Sequence, residues 1–122
     1  MQLQNFNYST LVELLRYRAQ HQADRTAYTF LKNGETELCS ITYQDLDLQA
    51  RAIATQLQYN NANGFRAVMI YPYDTSFEFI AAFLGCLYVG VVAVPSHPPR
   101  NRHAFYDLQA RLFSSQAKIV LT

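Results

Sequence analysis

The sequence has no tryptophan, two cysteines, four glycines and four prolines among its 122 residues. Two cysteines cannot form a disulfide scaffold, and alone they cannot supply the four ligands of a structural zinc site. Charge is also scarce, since 16% of the residues are charged and ten basic side chains nearly balance nine acidic ones. The resulting net charge of +1 provides no global field for a polyanion, so we expect no nucleic-acid partner.

The residues that are abundant are apolar. Half of the sequence is hydrophobic and 14% is aromatic, which argues against disorder. The length is close to that of one domain and is sufficient to bury roughly two thirds of the unfolded surface. Few enzymes that act on several substrates are this short, so a complete active site is not expected.

Signals for secretion and membrane insertion are missing as well. The first ten residues contain no lysine or arginine and no apolar core, so we expect a cytoplasmic location with reduced thiols. One uncharged stretch, 79–94, has sixteen residues, fewer than the roughly 20 that a spanning helix needs. Because Gly85 and Gly90 interrupt it, we interpret it as a helix, a glycine stop and a buried strand, and not as a membrane span.

Hydrophobic periodicity and capping residues predict an α/β fold with a mostly parallel sheet and an N-terminal β-hairpin. Asn33-Gly34 is typical of a hairpin turn, because both residues tolerate positive φ. The later strands are apolar and alternate with helices, which favours parallel pairing. The predicted elements are helix 10–22, strands 26–31 and 37–42, a helix capped by Thr42, strand 67–71, a helix after the capping box at Thr75, strand 91–94, helix 104–115 and strand 118–121.

Motifs for phosphate and metal chemistry are absent from the sequence. It contains no G-x-x-x-x-G-K-[ST] loop, no G-x-G-x-x-G and no H-E-x-x-H spacing. Cys39 and Cys86 have small or apolar neighbours, so we interpret them as buried hydrophobic side chains and not as nucleophiles. Gly85 and Gly90 are interpreted as a close-packing glycine and a helix stop.

The basic, proline-rich loop at 95–103 is the one candidate site. It follows a strand, where open α/β sheets bind ligands, and it could offer His97 or Arg100 to an anion or a partner. The alternative is a solvated connector, because loops are usually polar. The loop that begins Tyr71-Pro72-Tyr73-Asp74 could line a pocket or start a helix. No catalytic, cofactor-binding or metal residue is assigned.

Two motifs resemble the first two core motifs of the adenylate-forming superfamily. Ile41-Thr42-Tyr43-Gln44-Asp45-Leu46 is similar to the first motif, and the segment from Leu84 to Pro95 is similar to the second. Within that superfamily the residues are most similar to those of fatty acyl-AMP ligases. The similarity lies in the predicted helix at 79–88 and in the run from Val92 into Pro98-Pro99-Arg100. The resemblance covers essentially the whole chain.

The resemblance implies a partial three-layer sandwich, the first subdomain of an adenylate-forming enzyme. Residues 1–122 would then be the N-terminal part of an AMP-binding (adenylation) domain, truncated after the strand that ends near Thr122. Full-length members activate a fatty acid with ATP and magnesium and pass it to an acyl carrier protein, often in polyketide biosynthesis. Their phosphate loop, ribose-binding aspartate and C-terminal lysine lie downstream of the matched motifs, so we expect no cofactor in this chain.

Three hypotheses of function stay open. The chain is the N-terminal part of a fatty acyl-AMP ligase and inactive alone, or a non-catalytic module that binds an acyl chain, a carrier protein or a ligase partner. The third hypothesis is an unrelated flavodoxin-like binding domain. A sheet that ends at strand 119–121 exposes an unpaired edge or face. We therefore also expect contact with the remainder of the ligase, or self-association.

Overall fold

A computed structural model describes residues 10–61, 64–71 and 77–122. Within these ranges the chain forms four helices and five strands. In chain order the elements are α1 (Leu11–His21), β1 (Thr26–Lys32), β2 (Thr36–Thr42), α2 (Tyr43–Tyr59), β3 (Arg66–Ile70), α3 (Glu78–Tyr88), β4 (Val92–Ser96), α4 (Arg102–Ser115) and β5 (Ile119–Leu121).

The N-terminal half forms as the local sequence signals predict. The hydroxyl of Thr10 accepts a hydrogen bond from the Glu13 amide at 3.1 Å and caps α1. Strands β1 and β2 pair antiparallel, and the turn residues Asn33 and Gly34 have φ angles of 53° and 71°. Thr42 caps α2 in the same way, through the amide of Asp45 at 3.2 Å.

The second half contains a parallel sheet with the strand order β4-β3-β5. Ala67 and Met69 of β3 pack into a core with Ala82 and Cys86 of α3. Side chains alternate along a strand, so the buried Val68 lies on the opposite face of the sheet. The α/β fold with a parallel sheet and an N-terminal hairpin is therefore confirmed.

The outer strands are less buried than their apolar sequences predict. Val92 of β4 and Val120 of β5 are about half exposed, whereas Ala67 and Met69 of the central strand are fully buried. One face of the outer strands packs against the helical core, and the alternate side chains point away from it. The interpretation of 91–94 as a buried strand therefore holds for Val91, which is buried, but not for Val92.

Helix α3 packs against two groups of core residues, as its apolar sequence predicts. Ala82 and Cys86 belong to the core above the parallel sheet, whereas Ala81 packs with Leu15 of α1 and Leu46 of α2. The predicted capping box falls on Thr75 and Ser76, which lie outside the described residues, and the observed cap position, Phe77, makes no side-chain capping bond.

Gly85 within α3 and Gly90 just after it have the roles that the sequence predicts. A Cβ added at Gly85 would lie 2.8 Å from the carbonyl oxygen of Ala50 and 2.9 Å from the Cβ of Ile53, so only glycine lets α3 approach α2 this closely. Gly90 has a φ of 70° directly after the helix, which is the left-handed conformation of a helix stop.

The buried carboxylate of Asp47 links helices α1, α2 and α3 through hydrogen bonds. Asp47 of α2 is 4% exposed, and its Oδ2 accepts a hydrogen bond from the Arg16 guanidinium of α1 at 2.6 Å. Its Oδ1 accepts a hydrogen bond from the Tyr88 hydroxyl of α3, also at 2.6 Å. Burial, together with this bond to a carboxylate, raises the pKa of Tyr88 above its ordinary value, so the phenol keeps its proton.

None of the helices in the described ranges has the length and apolar character needed to cross a membrane.

Candidate functional site

The carboxyl ends of the three parallel strands form the edge at which open α/β sheets bind ligands. Ile70 at the end of β3 is paired with Ser96 at the end of β4, and Met69 is paired with Leu121 of β5. The loop at 97–101 leaves the sheet at this edge and leads into α4. The structure therefore places the candidate loop where the sequence predicts it.

His97 and Arg100 are both exposed in this loop. His97 follows Ser96 directly, and Arg100 lies two residues before the first residue of α4, so both lie on the carboxyl side of the sheet. Neither residue lines the grooves found beside α1, α2 and β5. Their role in binding an anion or a partner stays a prediction.

The loop is fixed at both ends by hydrogen bonds. At its start, the buried Ser96 hydroxyl accepts a hydrogen bond from the Arg111 guanidinium of α4 at 3.2 Å. At its end, the Asn101 side chain accepts one from the Ala104 amide at 2.8 Å and caps α4. Arg111 was not predicted as a site residue. The one available signal was its spacing. Arg111 comes three residues after the buried Leu108, which places it beside the buried face of α4.

A groove of about 310 Å³ opens between α2 and α3, at the ends of β3 and β5. The buried Tyr71 lies in its wall, and burial and then the nearby Glu78 carboxylate raise the pKa of this tyrosine, so the phenol stays protonated. The groove can therefore offer a hydroxyl and a carboxylate to a small polar group. The rest of the loop after Tyr71, residues 72–76, lies outside the described residues. The groove is lined by Gln49, Ala52, Ile53, Tyr71, Glu78, Ala81 and Thr122.

Cys86 has the properties of a core side chain. It is fully buried, and burial raises the pKa of its thiol to about 11. Since the thiolate is the reactive form, the folded chain protects this sulfur, whereas Cys39 is only half-buried. The prediction of a buried hydrophobic residue is confirmed for Cys86, and Cys39 is less buried than predicted.

We expect a disulfide reagent at pH 8 to label Cys39 well before Cys86 in the folded chain, as followed by mass mapping. The raised pKa of Cys86 also predicts that the free energy of unfolding is unaffected by this thiol below pH 9 and falls as the pH rises from 9 towards 11. The unfolded state gains free energy from ionisation over that range. Tyr71 and Tyr88 also have raised pKa values and lower the stability as the pH rises above 10. Cys86→Ala should therefore lose the part of the decrease that begins near pH 9, whereas Cys39→Ala should keep it. Equal labelling of both thiols would contradict the prediction.

The family model described as "AMP-binding enzyme" matches residues 15–122. This chain belongs to the AMP-binding enzyme family. The match includes both motifs that carry the resemblance to adenylate-forming enzymes, at 41–46 and 84–95.

Several of the matched proteins are fatty-acid ligases. The medium-chain-fatty-acid–[acyl-carrier-protein] ligase JamA of Moorena producens is 48% identical over 118 residues, which are 94% of this chain and 20% of JamA. The crystal structure of a fatty acid AMP ligase from Legionella pneumophila matches with a TM-score of 0.83 and 36% identity, over 93% of this chain and 19% of that chain.

A fatty acyl-adenylate ligase from L. pneumophila, solved in complex with acyl adenylate and pyrophosphate, matches with a TM-score of 0.82 and 36% identity. The match covers 93% of this chain and 20% of that chain. This AMP-binding chain therefore spans about a fifth of the length of its relatives, and the resemblance to the N-terminal region of fatty acyl-AMP ligases is confirmed.

Proposed function

We propose that this chain forms the first packing unit of a fatty acyl-AMP ligase. The whole enzyme would convert a fatty acid and ATP into an acyl-adenylate and pyrophosphate, and would then pass the acyl group to a carrier protein. The observation that carries the proposal is the 48% identity to an acyl-carrier-protein ligase over 94% of this chain. The cytoplasmic location and the assignment of residues 1–122 to an adenylation domain stay predictions.

The contribution of this chain to that reaction is a rigid frame. In the described part of the chain no three His, Cys, Asp or Glu side chains cluster closely enough to hold a metal ion. The sequence also has no phosphate-binding loop. We therefore propose no nucleotide or metal contact for this chain.

The proposal predicts that the isolated chain is inactive and that it restores activity to a ligase that lacks the corresponding piece. We expect no fatty-acid-dependent exchange of pyrophosphate into ATP by the isolated chain. Mixed with JamA that lacks its matching N-terminal residues, the chain should restore exchange, because a chain 48% identical to JamA over 118 residues is expected to present similar packing surfaces.

The control for reassembly is the corresponding N-terminal piece of JamA itself. Exchange by the isolated chain would contradict the proposed role. The proposal would also be wrong if the JamA piece restored exchange and this chain, shown to be folded by circular dichroism, did not.

A second function, a module that binds a carrier protein without catalysis, is favoured by one observation. Large aromatic side chains are exposed on α4, beside the basic loop that contains Arg100. Saturable binding of an acyl carrier protein by the isolated chain, without any restoration of exchange, would support this alternative over the first.

A further inference from the structure

Helix α4 carries an exposed stripe of four residues. Positions 102, 106, 109 and 113 are separated by four, three and four residues, so they share one face of the helix. We name Arg102, Tyr106, Gln109 and Phe113 the α4 stripe. Tyr106 is 60% exposed and Phe113 is 89% exposed, whereas Leu108 on the opposite side is buried. Two aromatic rings therefore point away from the sheet.

The composition of this surface is typical of protein–protein interfaces. The partly exposed ring of Phe105 packs edge-on against Tyr106, with 6.3 Å between the ring centroids, and widens the aromatic patch. Arginine lies at one end of the patch. Tyrosine and arginine are enriched among the residues that contribute most to protein–protein affinity, and tyrosine and phenylalanine are both enriched at interfaces.

The C-terminal part of the chain carries a positive net charge, whereas the rest of the chain carries a negative one. Residues 95–122 contain four basic residues and one acidic residue, a net charge of +3, whereas residues 1–94 contain six basic and eight acidic residues, a net charge of −2. The one acid in the C-terminal region, Asp107, lies 3.5 Å from His103 on a side of α4 away from Phe113. The stripe is thus aromatic and bordered by uncompensated positive charge.

We infer that the α4 stripe, together with Arg100, is the docking surface for an acyl carrier protein that presents an acidic helix with small apolar side chains at its centre. The inference rests on the proposed function, because the relative JamA is an acyl-carrier-protein ligase. Carboxylates complement Arg100 and Arg102, and small apolar groups complement the rings of Tyr106 and Phe113. A second copy of the chain is a poorer occupant, since the stripe contains no carboxylate that could pair with Arg100 and Arg102 of the other copy.

The test is a calorimetric titration of the full chain with a purified bacterial acyl carrier protein. We expect saturable binding that weakens as the salt concentration rises, and affinity at least about tenfold lower for Arg102→Glu combined with Phe113→Ser. Neither change should lower the melting temperature, because Phe113 is almost fully exposed and a glutamate in the first turn of α4 is favourable for the helix.

Matched control variants are available on other elements. Arg25→Glu makes the same charge change at an exposed position before β1, and Tyr59→Ser removes a ring that is 87% exposed at the end of α2. Both should bind the carrier protein as the unmodified chain does. Equal affinity of the stripe variant and these controls would overturn the inference.

Two further results identify other occupants and would also overturn it. If sedimentation shows a dimer that Phe113→Ser dissociates, the stripe is covered by a second copy. If the stripe variant loses reassembly with truncated JamA, the stripe is covered by the remainder of the ligase. Absence of carrier binding by the unmodified chain, with reassembly intact, would reject the docking surface and leave the proposed function standing.

Discussion

Gly85→Ala is expected to lower the free energy of unfolding by about 3 kcal/mol, because the added methyl group has no space. Its Cβ would lie 2.8 Å from the backbone carbonyl oxygen of Ala50, and a backbone atom in the middle of α2 cannot move without displacing the helix. The side chain of Ile53 blocks the other side at 2.9 Å. Denaturant unfolding followed by circular dichroism measures the change.

The sign of the change in the free energy of unfolding distinguishes an effect of packing from an effect of helix propensity. Alanine stabilises a helix interior by about 1 kcal/mol relative to glycine, so propensity alone predicts that Gly85→Ala makes the chain more stable. The observed separation of α2 and α3 predicts the opposite. An unchanged or increased stability would show that the two helices are not packed as closely as the structure describes.

Gly90→Ala is the matched control for this prediction. Gly90 lies just after the same helix with a φ of 70°, so alanine there meets backbone strain. Strain of this kind costs about 1–2 kcal/mol. We therefore expect Gly85→Ala to be clearly the more damaging of the two substitutions.

The parts of the fold that could be predicted from sequence depend on residues close together in the chain. Thr10 and Thr42 each cap a helix through an amide three residues later, and Asn33-Gly34 forms its turn without help from distant residues. Each of these signals is complete within about four residues, so sequence patterns identify it.

The parts of the fold that could not be predicted depend on pairs of residues that are far apart in the sequence. Asp47 is separated from Arg16 by 31 residues and from Tyr88 by 41, and nothing beside it in the sequence distinguishes it from the exposed Asp45. The bond from Arg111 to Ser96 likewise joins α4 to β4 across 15 residues. Such contacts follow from the packing of whole elements, so local patterns do not identify them.

The carboxylate of Asp47 provides the second large effect. Asp47→Ala should lower the free energy of unfolding by about 3 kcal/mol, because it removes the acceptor of two 2.6 Å hydrogen bonds at the junction of α1, α2 and α3. The loss is moderated because the Arg16 side chain is partly exposed and can regain water. Asp45→Ala, two residues away on the same helix but exposed, is the control and should cost less than about 1 kcal/mol.

A double-mutant cycle between Asp47 and Tyr88 tests whether the carboxylate acts through these particular bonds. Tyr88→Phe alone removes one hydrogen bond and should cost about 1–2 kcal/mol, since it leaves one buried oxygen of Asp47 without that donor. In the Asp47→Ala background the same change should cost much less, because the bond is already lost. Additive costs, measured by urea unfolding, would mean that Asp47 stabilises the helices without the Tyr88 bond and would contradict this account of how α2 and α3 are joined.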